Sequence, residues 1–170
     1  MNLKDYIVDV YDFPKKDIIF KDITPLLANG AAFQTTIAKL QALVVSLKPD
    51  VIVAPEARGF IFAAPVASNL GIPFIPIRKS DKLPREVISE TYTLEYGEST
   101  LQLHRDAIKP NQRVVIVDDL LASGGTIKGI ISLIEKLHGK VVGAVFVIEL
   151  SDFKVRNQFK HLKIESLIQY

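Results

Sequence analysis

The segment Arg113-Val-Val-Ile-Val-Asp-Asp-Leu-Leu-Ala-Ser-Gly-Gly-Thr126 constrains this chain more than any other. Its β-branched run is apolar at consecutive positions, the pattern of a strand covered on both faces in a parallel sheet. The run leads to two adjacent carboxylates, Asp118 and Asp119, and then through Ala122-Ser123-Gly124-Gly125-Thr126 into a helical pattern. Gly124 and Gly125 let backbone amides converge without Cβ obstruction, Thr126 adds a hydroxyl, and the helix start adds its dipole. The loop is therefore laid out for an anion. Two acids beside a phosphate cradle repel it unless the ligand also brings hydroxyls or a metal. A ribose 5-phosphate meets both needs, with its phosphate in the loop and its ring hydroxyls on Asp118 and Asp119. A Gly-Gly pair after a strand is by itself an ordinary βα turn. The ordered succession of buried strand, paired acids and anion loop is what sets this one apart. No G-x-G-x-x-G and no Gly-Lys-Ser/Thr is present, which sets aside a dinucleotide fingerprint and a Walker loop.

The flanking pattern alternates strand and helix. Residues 33–47 read as an amphipathic helix with Phe33, Ile37, Leu40, Val44 and Leu47 on one stripe, ended by Lys48-Pro-Asp50. Val51–Ala54 reads as a short buried strand, Phe60–Leu70 as a helix stopped by Gly71 and Pro73, and Phe74–Ile77 as a strand whose prolines suggest an edge or a short element. Residues 91–103 alternate around Tyr96-Gly97 as a hairpin does. A helix near 126–138 and a strand over Val141–Ile148 follow. This rhythm predicts an α/β fold with a mostly parallel central sheet flanked by helices, and ligands at the strands' C-terminal ends. Residues 1–30 and the tail fit the rhythm poorly and are expected to cap the sheet.

Bulk properties exclude other classes. Twenty-one Lys and Arg against nineteen Asp and Glu leave a charge of +2, too balanced for a nucleic-acid binder. The absence of cysteine removes disulfides and thiolate chemistry and fits a reducing compartment. The N-terminus carries no apolar signal core and no apolar run reaches spanning length, so a cytoplasmic protein with no membrane partner is expected. The 170 residues suffice for one domain. The histidines lack metal-ligand spacing, and His104 suits a surface role as well as a phosphate contact.

The segment 113–126 resembles the phosphoribosyl-pyrophosphate signature of type I phosphoribosyltransferases. Further segments resemble the adenine phosphoribosyltransferases in the same order along the chain. These are Phe13-Pro14 with Ile18–Pro25, Pro55-Glu-Ala-Arg-Gly-Phe60, Arg78-Lys79 with Lys82-Leu-Pro84, Tyr92-Thr-Leu-Glu-Tyr-Gly97 and Ser166-Leu-Ile-Gln-Tyr170. The likeness runs from about Asp12 to Tyr170. It implies the type I fold over 1–170, with a small N-terminal hood for base recognition (1–30), a flexible hairpin lid (78–103) and the signature at 114–126. The implied reaction joins adenine to phosphoribosyl pyrophosphate, giving AMP and pyrophosphate in purine salvage, with Mg2+.

Site residues follow from the same resemblance. Asp118, Asp119, Ala122, Ser123, Gly124, Gly125 and Thr126 are implied to bind the ribose 5-phosphate. Glu56, Ala57, Arg58, Gly59, Arg78, Lys79 and Lys82 are implied at the pyrophosphate, where Arg suits bidentate oxyanion contacts. Ile19, Phe20, Lys21 and Leu150 are implied at the base: Phe20 stacking, backbone groups reading the edge, and Leu150 as the opposite wall. Tyr92, Glu95, Tyr96 and Gly97 form the lid, with Gly97 as a hinge. Glu95 is the candidate acid/base, and Asp118 and Asp119 complete the catalytic set. No dedicated protein cage for the metal is expected. Mg2+ rides on the pyrophosphate, with Asp118 and Asp119 reaching it through water. A homodimer is implied, with Arg78 crossing the interface. Lys21 stands where the family commonly has Arg, Asp17 where it has Gly, and Ser123 where it has Thr. These departures bear on base selectivity more than on reaction class. Two alternatives stand beside this reading: a transferase for hypoxanthine, guanine or xanthine, and a non-catalytic regulator that senses phosphoribosyl pyrophosphate.

Overall fold

The computed structural model describes the chain apart from Glu95 and Tyr96. In chain order its strands are β1 (Val8–Tyr11), β2 (Ile19–Asp22), β3 (Val51–Pro55), β4 (Phe74–Lys79), β5 (Val87–Leu94), β6 (Gly97–His104), β7 (Arg113–Leu121), β8 (Lys140–Glu149) and β9 (Ile164–Gln169). Its α-helices are α1 (Thr24–Ala28), α2 (Gly30–Ser46), α3 (Arg58–Leu70) and α4 (Gly125–Lys136). Among the described residues, seven strands form one sheet in the order β5-β6-β4-β3-β7-β8-β9, and β1 with β2 forms a separate antiparallel pair. The run β4-β3-β7-β8-β9 is parallel throughout, and β6 and β5 add an antiparallel flank. The expected mostly parallel α/β sheet is what the chain forms.

Strand pleating explains why the parallel strands read as unbroken apolar runs. Along β7, Val115 and Val117 enter the core shared with α2 and α3, while Val114 and Ile116 enter the core shared with α4. β8 divides in the same way, Val145 and Val147 against Ala144 and Phe146. Helices cover both faces, so every position must be apolar. Helix α2 begins at Gly30 rather than 33 because Asn29 caps it, its side chain accepting the Ala32 N–H at 3.0 Å. Helix α3 ends where expected, on Gly71 at φ 65°.

Two expectations need correction. β4 is not an edge strand: it lies between β3 and β6. Its one proline, Pro76, is tolerated because β6 pairs only with Arg78 and Lys79, so the stretch around it meets no ladder on that side. The C-terminal tail is not merely a cap either. Residues 164–169 extend the main sheet as β9, parallel to β8, and two short 3-10 turns over 151–158 carry the chain there. No described helix is long and apolar enough to cross a membrane.

Candidate active site

β7 runs three residues beyond Asp118 and pairs with β8 to Leu121, whereas its pairing with β3 stops at Ile116. Asp118 and Asp119 therefore lie inside the strand and not at its end as expected. They sit where one neighbour has already departed. Their carboxyls nonetheless come together, interacting with each other and both within the field of Arg58. Asp119 is 4% exposed and meets α3, with Arg58 Nε 3.0 Å from its Oδ2. That contact is poorly aimed, so Oδ2 accepts no directed hydrogen bond among the described residues. Asp118 accepts the Asp119 N–H at 2.8 Å through Oδ1, an oxygen that also faces Gly59 at the start of α3. Burial and then the charge of Asp119 push the Asp118 carboxyl well above the usual carboxylate range. Burial also raises Asp119, against the pull of Arg58 and of its hydrogen bonds. A pair of adjacent carboxylates held this way is costly to ionise, which stability does not explain.

The loop after β7 turns at Gly124, φ 88°, directly into α4. A Cβ at Gly124 would lie 2.8 Å from Val155 and 3.2 Å from Phe159, so both backbone angle and packing require glycine. The first-turn amides of α4 then point out of the loop with no side-chain cap, an anion-binding arrangement. Asp118, Ala122, Gly124 and Thr126 line one small cavity together with Ile116, Leu121 and Phe146.

The neighbouring strand ends bring the other residues in. Glu56 and Ala57 follow β3, joined by a cis peptide bond, and Arg58 opens α3. Gly59 is buried, and a Cβ there would come 2.9 Å from Asp118 Oδ1 and 3.0 Å from Pro55. The absence of a side chain there lets α3 approach β7. Arg78 Nε donates to Glu56 at 2.6 Å within the chain. Burial opposes ionisation of Glu56, but the Arg78 hydrogen bond, the Lys79 amide and the charges of Arg78 and Lys82 hold its carboxyl below the usual range. Glu56, Arg78, Lys79 and Lys82 thus form one cluster beside Arg58.

Phe20 of β2 reaches the same region, its ring centroid 5.1 Å from the Arg58 guanidinium and 5.2 Å from Phe13, edge-on. Arg58 thereby links the hood to Asp119. Ile19 is 45% exposed. The Lys21 side chain turns to Asp9 (2.7 Å) and to the ring of Tyr170, which leaves its backbone, the part expected at the base, for a ligand. Leu150 lies beside the end of β7, its N–H donating to Leu121 at 2.9 Å.

Tyr92 packs against helix α4 and not over the site: a Cβ at Gly129 would touch its ring at 2.9 Å. It roots the hairpin. Gly97 adopts φ 130°, which glycine takes readily, opposite Leu94. Glu95 and Tyr96 lie outside the described residues. Among the described residues no three His, Asp or Glu side chains converge as a metal cage. Sequence reasoning missed the buried Glu149, which accepts Arg156 (2.8 and 2.7 Å) and Ser166 (2.6 Å). The available signal was an acid closing an otherwise apolar strand.

A two-sided parallel sheet that delivers paired acids and an open helix N-terminus to one edge defines a phosphoribosyl transferase domain, and that family's model matches residues 22–167. The relatives narrow it. The chain is 54% identical over 170 residues to the adenine phosphoribosyltransferase of Lactobacillus delbrueckii subsp. bulgaricus, covering all of this chain and 97% of that protein. It is 48% identical to the crystal structure of adenine phosphoribosyltransferase from Thermoanaerobacter pseudethanolicus, with TM-score 0.95 over 99% of this chain and 98% of that one. The Saccharomyces cerevisiae enzyme, solved with an imino-altritol bisphosphate and adenine, is 34% identical with TM-score 0.88, covering 97% and 96%. The chain belongs to the adenine phosphoribosyltransferase family.

Proposed function

We propose that this protein transfers the 5-phosphoribosyl group of phosphoribosyl pyrophosphate to N9 of adenine, releasing pyrophosphate and giving AMP. One observation carries the reading: the adjacent carboxyls of Asp118 and Asp119 lie together on one strand whose following loop turns into an uncapped helix N-terminus, with Arg58 tying Asp119 to Phe20 of the hood. That is a place for a ribose between a phosphate and a base. In this reading Ala122 to Thr126 hold the 5-phosphate. Asp118 and Asp119 hold the ribose hydroxyls and, by their negative field, favour the positive charge that develops at the anomeric carbon. Arg58, Arg78, Lys79 and Lys82 receive the pyrophosphate. Phe20 stacks on adenine, the backbone at Ile19 and Lys21 reads its edge, and Leu150 closes the far wall. Glu95 handles the proton at the imidazole ring, and the hairpin from Tyr92 to Gly97 excludes water.

Mg2+ belongs to the proposal because the donor set suits it. Two adjacent carboxylates, one with an oxygen that accepts no directed hydrogen bond among the described residues, would hold it through water, with the substrate's phosphates as its other ligands. When bound, it neutralises charge on the leaving pyrophosphate. The proposal also includes one catalytic domain over 1–170, a homodimer and a cytoplasmic location. Incubating the chain with phosphoribosyl pyrophosphate, Mg2+ and a panel of purine bases tests it. AMP from adenine supports it, whereas turnover of hypoxanthine or guanine with none of adenine overturns the base assignment.

A further inference from the structure

Tyr170 joins parts of the molecule that chain order keeps apart. Its N–H donates to the Glu149 carbonyl at 3.0 Å, and its own carbonyl accepts the Ser151 N–H at 2.8 Å. These two bonds bracket Leu150. Over its ring stand two ammonium groups, Lys21 Nζ 3.8 Å and Lys4 Nζ 4.1 Å from the centroid. Lys21 also donates to both oxygens of Asp9, its cross-strand partner in the β1–β2 ladder, at 2.7 and 2.8 Å. Lys4 donates to the Gln169 carbonyl at 3.2 Å.

Lys21 therefore spends its charge inside the protein: its side chain is 9% exposed, between an acid and an aromatic face. Among the described residues β1 and β2 share no ladder with the main sheet, so side-chain contacts must set where they sit. A cation over an aromatic face is attracted by the ring quadrupole, and more strongly when water is excluded. The ring that receives these cations is fixed by backbone bonds to the end of β8.

We propose that Tyr170 is a positioning residue for base binding, holding β2 and the wall at Leu150 in one register across the purine pocket. The inference rests on the reading above that Ile19–Lys21 and Leu150 line that pocket. Tyr170 acts through Lys21 and Leu150 and needs no contact with substrate.

Tyr170→Leu, Tyr170→Phe and Asp9→Asn test it. Loss of one or two cation–ring contacts predicts that Tyr170→Leu raises the adenine KM about fivefold or more. The KM for phosphoribosyl pyrophosphate and kcat should stay within about twofold, since the loop, the acids and the cation cluster are untouched. Amide hydrogen exchange should quicken at residues 8–11 and 19–22 and stay unchanged in β3 and β7. Tyr170→Phe keeps the ring and should restore both readouts. Should Tyr170→Leu fail to fold, Asp9→Asn releases Lys21 from an exposed site and should shift both readouts the same way. An adenine KM within about twofold of wild type, or an equal rise in both KM values, overturns the positioning role. If wild-type protein makes no AMP from adenine, the functional reading is what fails, and hydrogen exchange still reports on the clamp.

Discussion

At the scale of single residues, the acid pair shows how function and stability diverge. Asp118 and Asp119 have folded-state carboxyls raised above their unfolded values, so protonation favours the fold, and ionisation at neutral pH costs stability. Asp118→Asn keeps the oxygen that accepts the Asp119 N–H and removes one charge. We expect a Tm at pH 7 equal to or above wild type, with turnover severely reduced, checked by calorimetry beside the AMP assay. Asp119→Asn should behave likewise in activity. Near-wild-type turnover in both variants rules out the ribose assignment. Glu95 takes its proposed role from the resemblance of residues 92–97 to the family's lid. General acid–base assistance is worth about 10²–10⁴-fold, so Glu95→Gln should lower kcat within that range and leave phosphoribosyl pyrophosphate binding largely intact. A change in kcat smaller than about threefold across pH leaves no proton-transfer role for it.

At the scale of elements, the β5–β6 hairpin is fastened at its root. Tyr92 lies on Gly129, and Lys136 donates to the Ser89 carbonyl at 2.8 Å and to Glu90 at 2.5 Å. The hairpin's orientation is therefore set by α4, the helix whose N-terminus is proposed to hold the phosphate. Gly129→Val forces the Tyr92 ring outward and tilts the hairpin, at a cost of about 1–3 kcal/mol typical of overpacking. Steady-state kinetics should show kcat and KM changing together, the mark of altered closure. An unchanged pair of constants in a folded variant means that closure does not depend on this root.

For the whole molecule, the buried cluster at the end of β8 contributes to behaviour in acid. The hydrogen bond from Arg156 lowers the Glu149 carboxyl, burial opposes it, and Ser166, the Arg156 charge and Gln169 lower it further. A carboxyl lowered on folding contributes stability that is complete above the unfolded value, about 4.3, and is lost as pH falls through the folded one. Glu149→Gln should thus cost about 2 kcal/mol at pH 7, discounted because Arg156 is partly in water. The difference from wild type should shrink below about pH 4. Urea titrations at pH 7 and 3.5 measure it, and a pH-independent difference excludes the ion pair as its source.

The sequence by itself determined what local rules decide. A continuous apolar run means a strand covered on both faces, and the loop at 122–126 carries the pattern of an anion loop because glycine, helix start and hydroxyl are contiguous. The paired acids, the α/β class and the hairpin were legible for the same reason. Only the tertiary structure decided which groups meet across long separations. Arg58 reaching Asp119 and Phe20, Gly59 yielding space to Asp118, and Glu149 pairing with Arg156 depend on strand order, which no local pattern encodes. β9 escaped because an edge strand with mixed burial carries no clean alternation. The resemblance implied a backbone role for Lys21 at the base, and it is the fold that sends its charge to Asp9 and Tyr170. A side chain's partner is set by what folding places beside it, and the chain folds β2 against its own last residue.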